Sequence, residues 1–296
     1  PSPNAEKIDG NLEKLRSFRG QGQLNRDSLK HYSELILEKY REELNQDQFI
    51  ETMASQLISL YHAPFADYAL KAEELISFLK VNKRFKEEIN ERYYLALKAH
   101  TAGDTSADSL YEIALQRLET VKESLDKSYC KLKVRLTTSL ASHYDYNGLY
   151  FDATDKLITA LKLAESCGDS SVLLHAYKSA GAILAKMSKV RSYPLYKWSH
   201  KDGEIKEYLI KAYQLAKALD NKQVYALAAY NLAYYYYEQN SLDQAKKLIS
   251  ESMSLEDMPW MPRQNYYNNM LLFDIAIKEK NTKDVSQYID SALVAV

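Results

Sequence analysis

The sequence predicts an all-α protein, and the prediction rests on periodicity, composition and an internal repeat. Apolar residues recur at i, i+3 or i+4 and i+7 through almost the whole chain from residue 27 onward. No alternating apolar–polar run or hairpin signal interrupts them. The 296 residues include only 8 Gly and 6 Pro, too few for the turns of a β-rich chain or for a disordered one. A motif near residues 140–164 returns near residues 232–253 with the same internal spacing.

The elements follow in order. Residues 1–26 are polar, with Gly10, Gly20 and Gly22, and are expected to be a flexible N-terminal segment. Asp27 is suited to cap the first helix. Helices are predicted over 27–43, 46–61, 65–81, 84–101, 106–125, 128–146 and 150–166. They continue over 170–188, 203–219, 222–238, 242–254, 262–280 and 283–294. Leu70, Leu75, Ile76 and Leu79 show the helical spacing in the third of these. Gly168-Asp169 and Asp220-Asn221 read as helix stops. In domain terms, 27–83 reads as a helical cap or divergent repeats, and 84–296 as a repeat array.

Setting Ala141 on Ala233 aligns the two clearest repeat units. An aromatic follows at +3 (Tyr144, Tyr236) and a turn residue at +7 (Gly148, Asn240). An apolar residue stands at +9 (Tyr150, Leu242), alanine at +12 (Ala153, Ala245), an aliphatic at +16 (Leu157, Ile249) and a small residue at +19 (Ala160, Ser252). This pattern resembles the tetratricopeptide repeat (TPR), and the resemblance implies a right-handed superhelix of helix-turn-helix repeats. In such a unit the small residues Ala141, Gly181 and Ala233 let its two helices approach closely, and Ala153 and Ala245 do so from the second helix. Tyr144 and Tyr236 are expected to fill the gap between neighbouring units. One unit cannot bury its apolar face alone.

Between the two clear units, 170–219 reads as a unit with an insertion in its turn, near 188–203. The stretches 84–125 and 262–294 read as degenerate units, with Asn281 at the last turn position and Ser286 at the alanine position.

Bulk chemistry narrows the function. With 39 Lys and Arg against 40 Asp and Glu, the formal charge is −1, so no global field draws the chain to DNA or to an anionic membrane. No apolar run reaches the roughly 18 residues that span a bilayer. The chain begins with Pro1 rather than Met, which suggests a processed or excised polypeptide. Cys130 and Cys167 are expected to be ordinary packing thiols rather than a bridge. The histidines at 31, 62, 100, 143, 175 and 200 are scattered, and no phosphate loop or zinc spacing is present. Glu87, Glu88 and Glu91, with Lys86 and Arg92, read as a solvated charged face. No catalytic residue, cofactor or metal is expected.

The resemblance also implies where a ligand would sit, because the first helix of each TPR unit lines the concave surface. The corresponding residues are Arg135, Thr138, Ser142, Asp145 and Tyr146, then His175, Lys178 and Lys186, then Tyr230, Tyr234, Tyr237 and Glu238. Tyrosines offer large amphipathic faces at low rotamer cost, and Arg135 and Lys178 suit carboxylates. An acidic peptide, or a peptide's C-terminal carboxylate, would match such a groove. The alternative is that the tyrosines of 234–237 pack between helices and the lysines are solvated; four consecutive tyrosines cannot all face one way. The insertion, with Tyr193, Tyr196, Trp198 and His200 among lysines, is a second candidate for partner recognition, or else a capping aromatic patch.

The resemblance implies a protein- or peptide-binding module. It is similar to TPR sensor or regulatory regions of larger bacterial signalling proteins, and an extracytoplasmic location is expected ahead of a cytoplasmic one. An alternative is a cytoplasmic regulator similar to the Rap and quorum-sensing families, in which a helical bundle precedes a TPR peptide pocket and some members act on a response-regulator phosphate. A passive assembly scaffold is a further alternative. No contact with nucleic acid or membrane is expected from this region.

Overall fold

The structure, a computed structural model, describes residues 4–19, 25–125, 128–190, 202–254 and 262–294. These residues form α-helices joined by short turns, with no strand among them. None of the described helices is long and apolar enough to cross a membrane. The chain divides into two compact units, Pro1–Leu132 and Lys133–Val296.

The first unit holds α1 (Ala5–Arg19), α2 (Arg26–Tyr40), α3 (Gln46–Ser59), α4 (Phe65–Val81), α5 (Phe85–Ala102) and α6 (Ala107–Thr120). The expectation of a flexible N-terminal segment is corrected by α1. Ile8, Leu12 and Leu15 fall on one helical face and are buried with Leu29 and Ile36 of α2. A second core gathers Phe49, Met53 and Leu57 of α3, Leu75 and Leu79 of α4, and Leu95 of α5. Asn45 starts α3 with a reciprocal capping box: its side chain accepts from the Gln48 amide at 2.9 Å, and Gln48 accepts from the Asn45 amide at 3.0 Å.

The charged face expected on α5 is also corrected. Glu88 is fully buried, and its carboxylate accepts hydrogen bonds from Arg92 at 2.9 Å and from Arg117 of α6 at 2.9 Å. Desolvation pulls its pKa upward, but the two guanidiniums outweigh that and hold the carboxyl below its ordinary range. A buried carboxylate is tolerated only with such partners, so this ion pair fixes α6 on α5.

The second unit begins within α7 (Ser128–Tyr146) and continues through α8 (Tyr150–Cys167), α9 (Ser170–Val190), α10 (Asp202–Ala218), α11 (Lys222–Glu238), α12 (Leu242–Met253), α13 (Pro262–Lys278) and α14 (Thr282–Val294). From α8 to α14 consecutive helices pack on one another, and α9, α11 and α13 also touch in sequence. That is the stacking of helix-turn-helix repeats. One continuous core contains Ala141, Ala153, Leu157, Ala180, Ala212, Leu232, Ala233, Ala245 and Ile249. Tyr144 and Tyr236 are half-buried against it.

Local detail departs from the repeat in two places. The left-handed turn residues are Gly148 (φ 77°) and Asn240 (φ 57°) as the spacing predicts, but in the last unit Lys280 (φ 57°) takes that role. Asn281 instead donates to Asp284 at 2.7 Å across the first turn of α14. Gly181 lines a crevice with Leu209 and Ala212 of α10 in its own unit, and it also faces the next unit. A Cβ there would fall onto the side-chain amide of Asn231, so the missing side chain makes room for α11 of the next unit. Ser252, the small residue at +19, also donates to the Ala226 carbonyl at 3.1 Å and accepts from Asn268 at 3.0 Å. This buried relay ties α11, α12 and α13 together.

Cys130 and Cys167, expected as ordinary thiols, are both disulfide-bonded.

Candidate functional site

The site is built on α11. Asn221 caps its start by accepting from the Val224 amide at 3.1 Å, and the helix runs through an alanine-rich stretch. Ala226, Ala229 and Ala233 are buried, so the helix lies close against its neighbours on that side. Tyr230, Tyr234 and Tyr237 stand at i, i+4 and i+7 and share a half-buried stripe. Tyr235 points into the core, which settles how four consecutive tyrosines divide.

The three rings form a ladder. Tyr230 and Tyr234 have centroids 6.4 Å apart, and Tyr234 and Tyr237 are 6.1 Å apart. Tyr267 of α13 extends the ladder at 5.9 Å from Tyr230. Lys278, also on α13, closes the other end, with its ammonium 3.6 Å from the Tyr237 ring centroid and donating to the Tyr237 carbonyl at 3.1 Å. Ring pairs in this range contribute roughly 0.5–1.5 kcal/mol each beyond area burial. The face is thus preorganised before any partner arrives.

Electrostatics keep the hydroxyls protonated. Burial pushes Tyr230 up to about 12, with Tyr267 and Asp274 adding to it. Tyr234 is raised by burial and then by Glu238, to which its hydroxyl is hydrogen-bonded. Tyr237 is raised by burial, Asp274 and Glu238. The surface therefore presents neutral phenols flanked by Asp274, Glu238 and Lys278, able to donate, accept and stack.

The remaining expected residues are distributed along the array. On α9, His175 and Lys178 are exposed. Lys178 borders a crevice of about 10 Å³ with Gly181 of its own helix and Leu227 and Asn231 of α11. On α7, Arg135, Ser142 and Asp145 are half-buried and Tyr146 is 73% exposed. Thr138 is buried, and its hydroxyl donates to the Arg135 carbonyl at 3.0 Å, so it offers nothing to a groove. The side chain of Lys186, with Tyr193, Tyr196, Trp198 and His200 of the expected insertion, lies outside the described residues.

Sequence reasoning missed Tyr267 and Lys278. Counting back seven from the left-handed Lys280 puts Phe273 in the small-residue position of the last unit. Lys278 then stands at +5, the position that Glu238 holds in the unit before, and Tyr267 at −6, the position of Arg135 and His175 in theirs. The repeat offsets carried both, but taking Asn281 as the turn residue set the register one residue off.

No known family profile matches the chain, and no curated protein matches its sequence. Solved structures do match it. BtubC (BKLC) from P. vanneervenii has a TM-score of 0.60 at 19% identity, over 82% of this chain and 90% of that one. The apo form of RapI has a TM-score of 0.56 at 13% identity, over 98% of this chain and 75% of that one. Aspartyl phosphate phosphatase F from Bacillus subtilis has a TM-score of 0.56 at 15% identity, over 100% of this chain and 75% of that one. At these identities the likeness shows the fold, which is of the TPR-like helical-repeat type.

Proposed function

We propose that this chain is a protein- or peptide-binding module and the sensory or regulatory part of a larger signalling protein. The observation that carries the reading is the ring ladder Tyr267–Tyr230–Tyr234–Tyr237, which crosses two successive repeats with Lys278 at its end. Aromatic anchors held rigid on helices are what peptide recognition requires. The acidic or C-terminal character of the ligand is supported by the exposed Lys178 and by Lys278. An extracytoplasmic location is supported by the disulfide-bonded state of both cysteines.

The test is a peptide-display selection on the full chain, followed by the double variant Tyr230→Ala with Lys178→Glu. The variant is expected to keep its helical circular dichroism and to lose selected peptides by at least about a hundredfold, the scale of two lost anchors. Undiminished binding by a folded variant would place the ligand elsewhere.

A second reading is a cytoplasmic regulator acting as the Rap type does, with or without a partner phosphate. It is favoured by the alignment of 98% and 100% of this chain, first unit included, with RapI and phosphatase F. In our reading the chain binds and performs no reaction. The lifetime of the aspartyl phosphate on a phosphorylated receiver domain is expected to be unchanged when the protein is added; a shortened lifetime would show a catalyst instead.

A further inference from the structure

The first unit contains a cavity of about 280 Å³ that the peptide-binding reading does not use. Its wall is Ala54, Leu57 and Ile58 of α3, Tyr61 in the turn after it, Tyr68 of α4, and Glu91, Tyr94 and Leu97 of α5. Arg19, at the end of α1, stands exposed on its rim. Large apolar side chains gather at the mouth, where Ile58 is 41%, Tyr61 44% and Tyr94 42% exposed. Three phenol rings and a carboxylate thus line one small, solvent-open space.

The carboxylate is the telling part. Glu88, three residues earlier on α5, is locked by two arginines, whereas Glu91 has no hydrogen-bond or ion-pair partner among the described residues. The Tyr68 hydroxyl beside it, on a ring 5% exposed, is likewise free of hydrogen bonds to the described residues. Glu91 is half-buried, and a carboxylate partly removed from water without a partner is costly unless something else compensates it. The rings supply quadrupole faces that attract a cation. The volume lies at the low end for ligand cavities, which suits a compact small molecule rather than a peptide.

We propose that this cavity binds a small organic ammonium compound, its charged head held between Glu91 and the rings of Tyr61, Tyr68 and Tyr94, its apolar body against Leu57, Ile58 and Leu97. Arg19 on the rim adds a place for a carboxylate, so an amino acid fits the lining better than the plain amine. The charged and titratable groups that face Glu91 are Arg19 from α1, Tyr61 before α4, Tyr68 from α4 and Tyr94 from α5; Lys98 lies behind Tyr61, 5.6 Å from its ring.

Titration calorimetry on the full chain at pH 8 tests this with phenethylamine, L-phenylalanine, L-leucine and, as the cation-free control, 3-phenylpropanoate. The amine and the amino acids are expected to bind, and 3-phenylpropanoate to give no heat. Glu91→Gln, which keeps shape and removes charge, is expected to weaken the amine at least about tenfold, the loss of one charge-assisted contact. Arg19→Gln is expected to weaken the amino acids while sparing phenethylamine. The proposal is overturned if neither amine nor amino acid binds, if 3-phenylpropanoate alone binds, or if a folded Glu91→Gln variant binds phenethylamine as the natural protein does.

Discussion

Glu88 and Glu91 show how far the fate of one residue depends on what tertiary structure brings to it. Both read as solvated glutamates on a helical face. Glu88 ends in a double arginine clamp, and burial pushes the Glu91 carboxyl up to about 7 from an ordinary 4.5, against a smaller pull downward from Arg19. The folded state therefore holds the Glu91 proton more tightly than the unfolded chain does. Below pH 4.5 the group costs the fold nothing; between 4.5 and 7 the cost of burying its charge grows, so stability falls as pH rises. Glu91→Gln removes that cost. The variant is expected to gain on the order of 1–3 kcal/mol over the natural protein at pH 8 and to show no gain at pH 4. Paired urea titrations at the two pH values would show it, and an equal difference at both would refute the assignment. One local signal separates the two glutamates, since Arg92 stands four residues after Glu88 and Leu95 four after Glu91; that Glu88 would be fully buried under Arg117, and Glu91 set beside Arg19, depends on other helices and could not be read.

At the scale of the helix, much of the fold was legible. The offsets from Ala141 and Ala233 placed α7, α8, α11 and α12, because a helix-turn-helix repeat needs small residues at fixed contacts and a left-handed residue at its turn. The stripe Tyr230, Tyr234, Tyr237 followed from helical spacing alone. Some elements were hidden for definite reasons. In α1 only Ile8, Leu12 and Leu15 carry the apolar face, amid charged residues and Gly10, and they gain their meaning from α2. Gly181 is a position of close approach, and the nearest group to it is Asn231 of the next unit, a neighbour that spacing alone does not identify. On the ladder, Tyr267 and Lys278 were both within reach of the offsets, and both were hidden by a register set on Asn281 instead of Lys280.

Across the whole second unit, stability is shared between neighbours. Ala153 is fully buried within the continuous core that runs from α7 to α13. Ala153→Glu would drive a charge into an apolar helix contact. The loss is expected to exceed about 3 kcal/mol, and hydrogen exchange should lose protection in α9 and α11 as well as in α7 and α8. Loss confined to α8 would show that the repeats do not support one another as the continuous core implies.

The contact of Tyr230 with Tyr267, and of Tyr237 with Lys278, joins equivalent faces of two successive repeats rather than two parts of one. A partner that wedges between those rings would press on the seam between two repeats, so its arrival is expected to be felt by the packing of α13 on α11 as well as by the rings it touches.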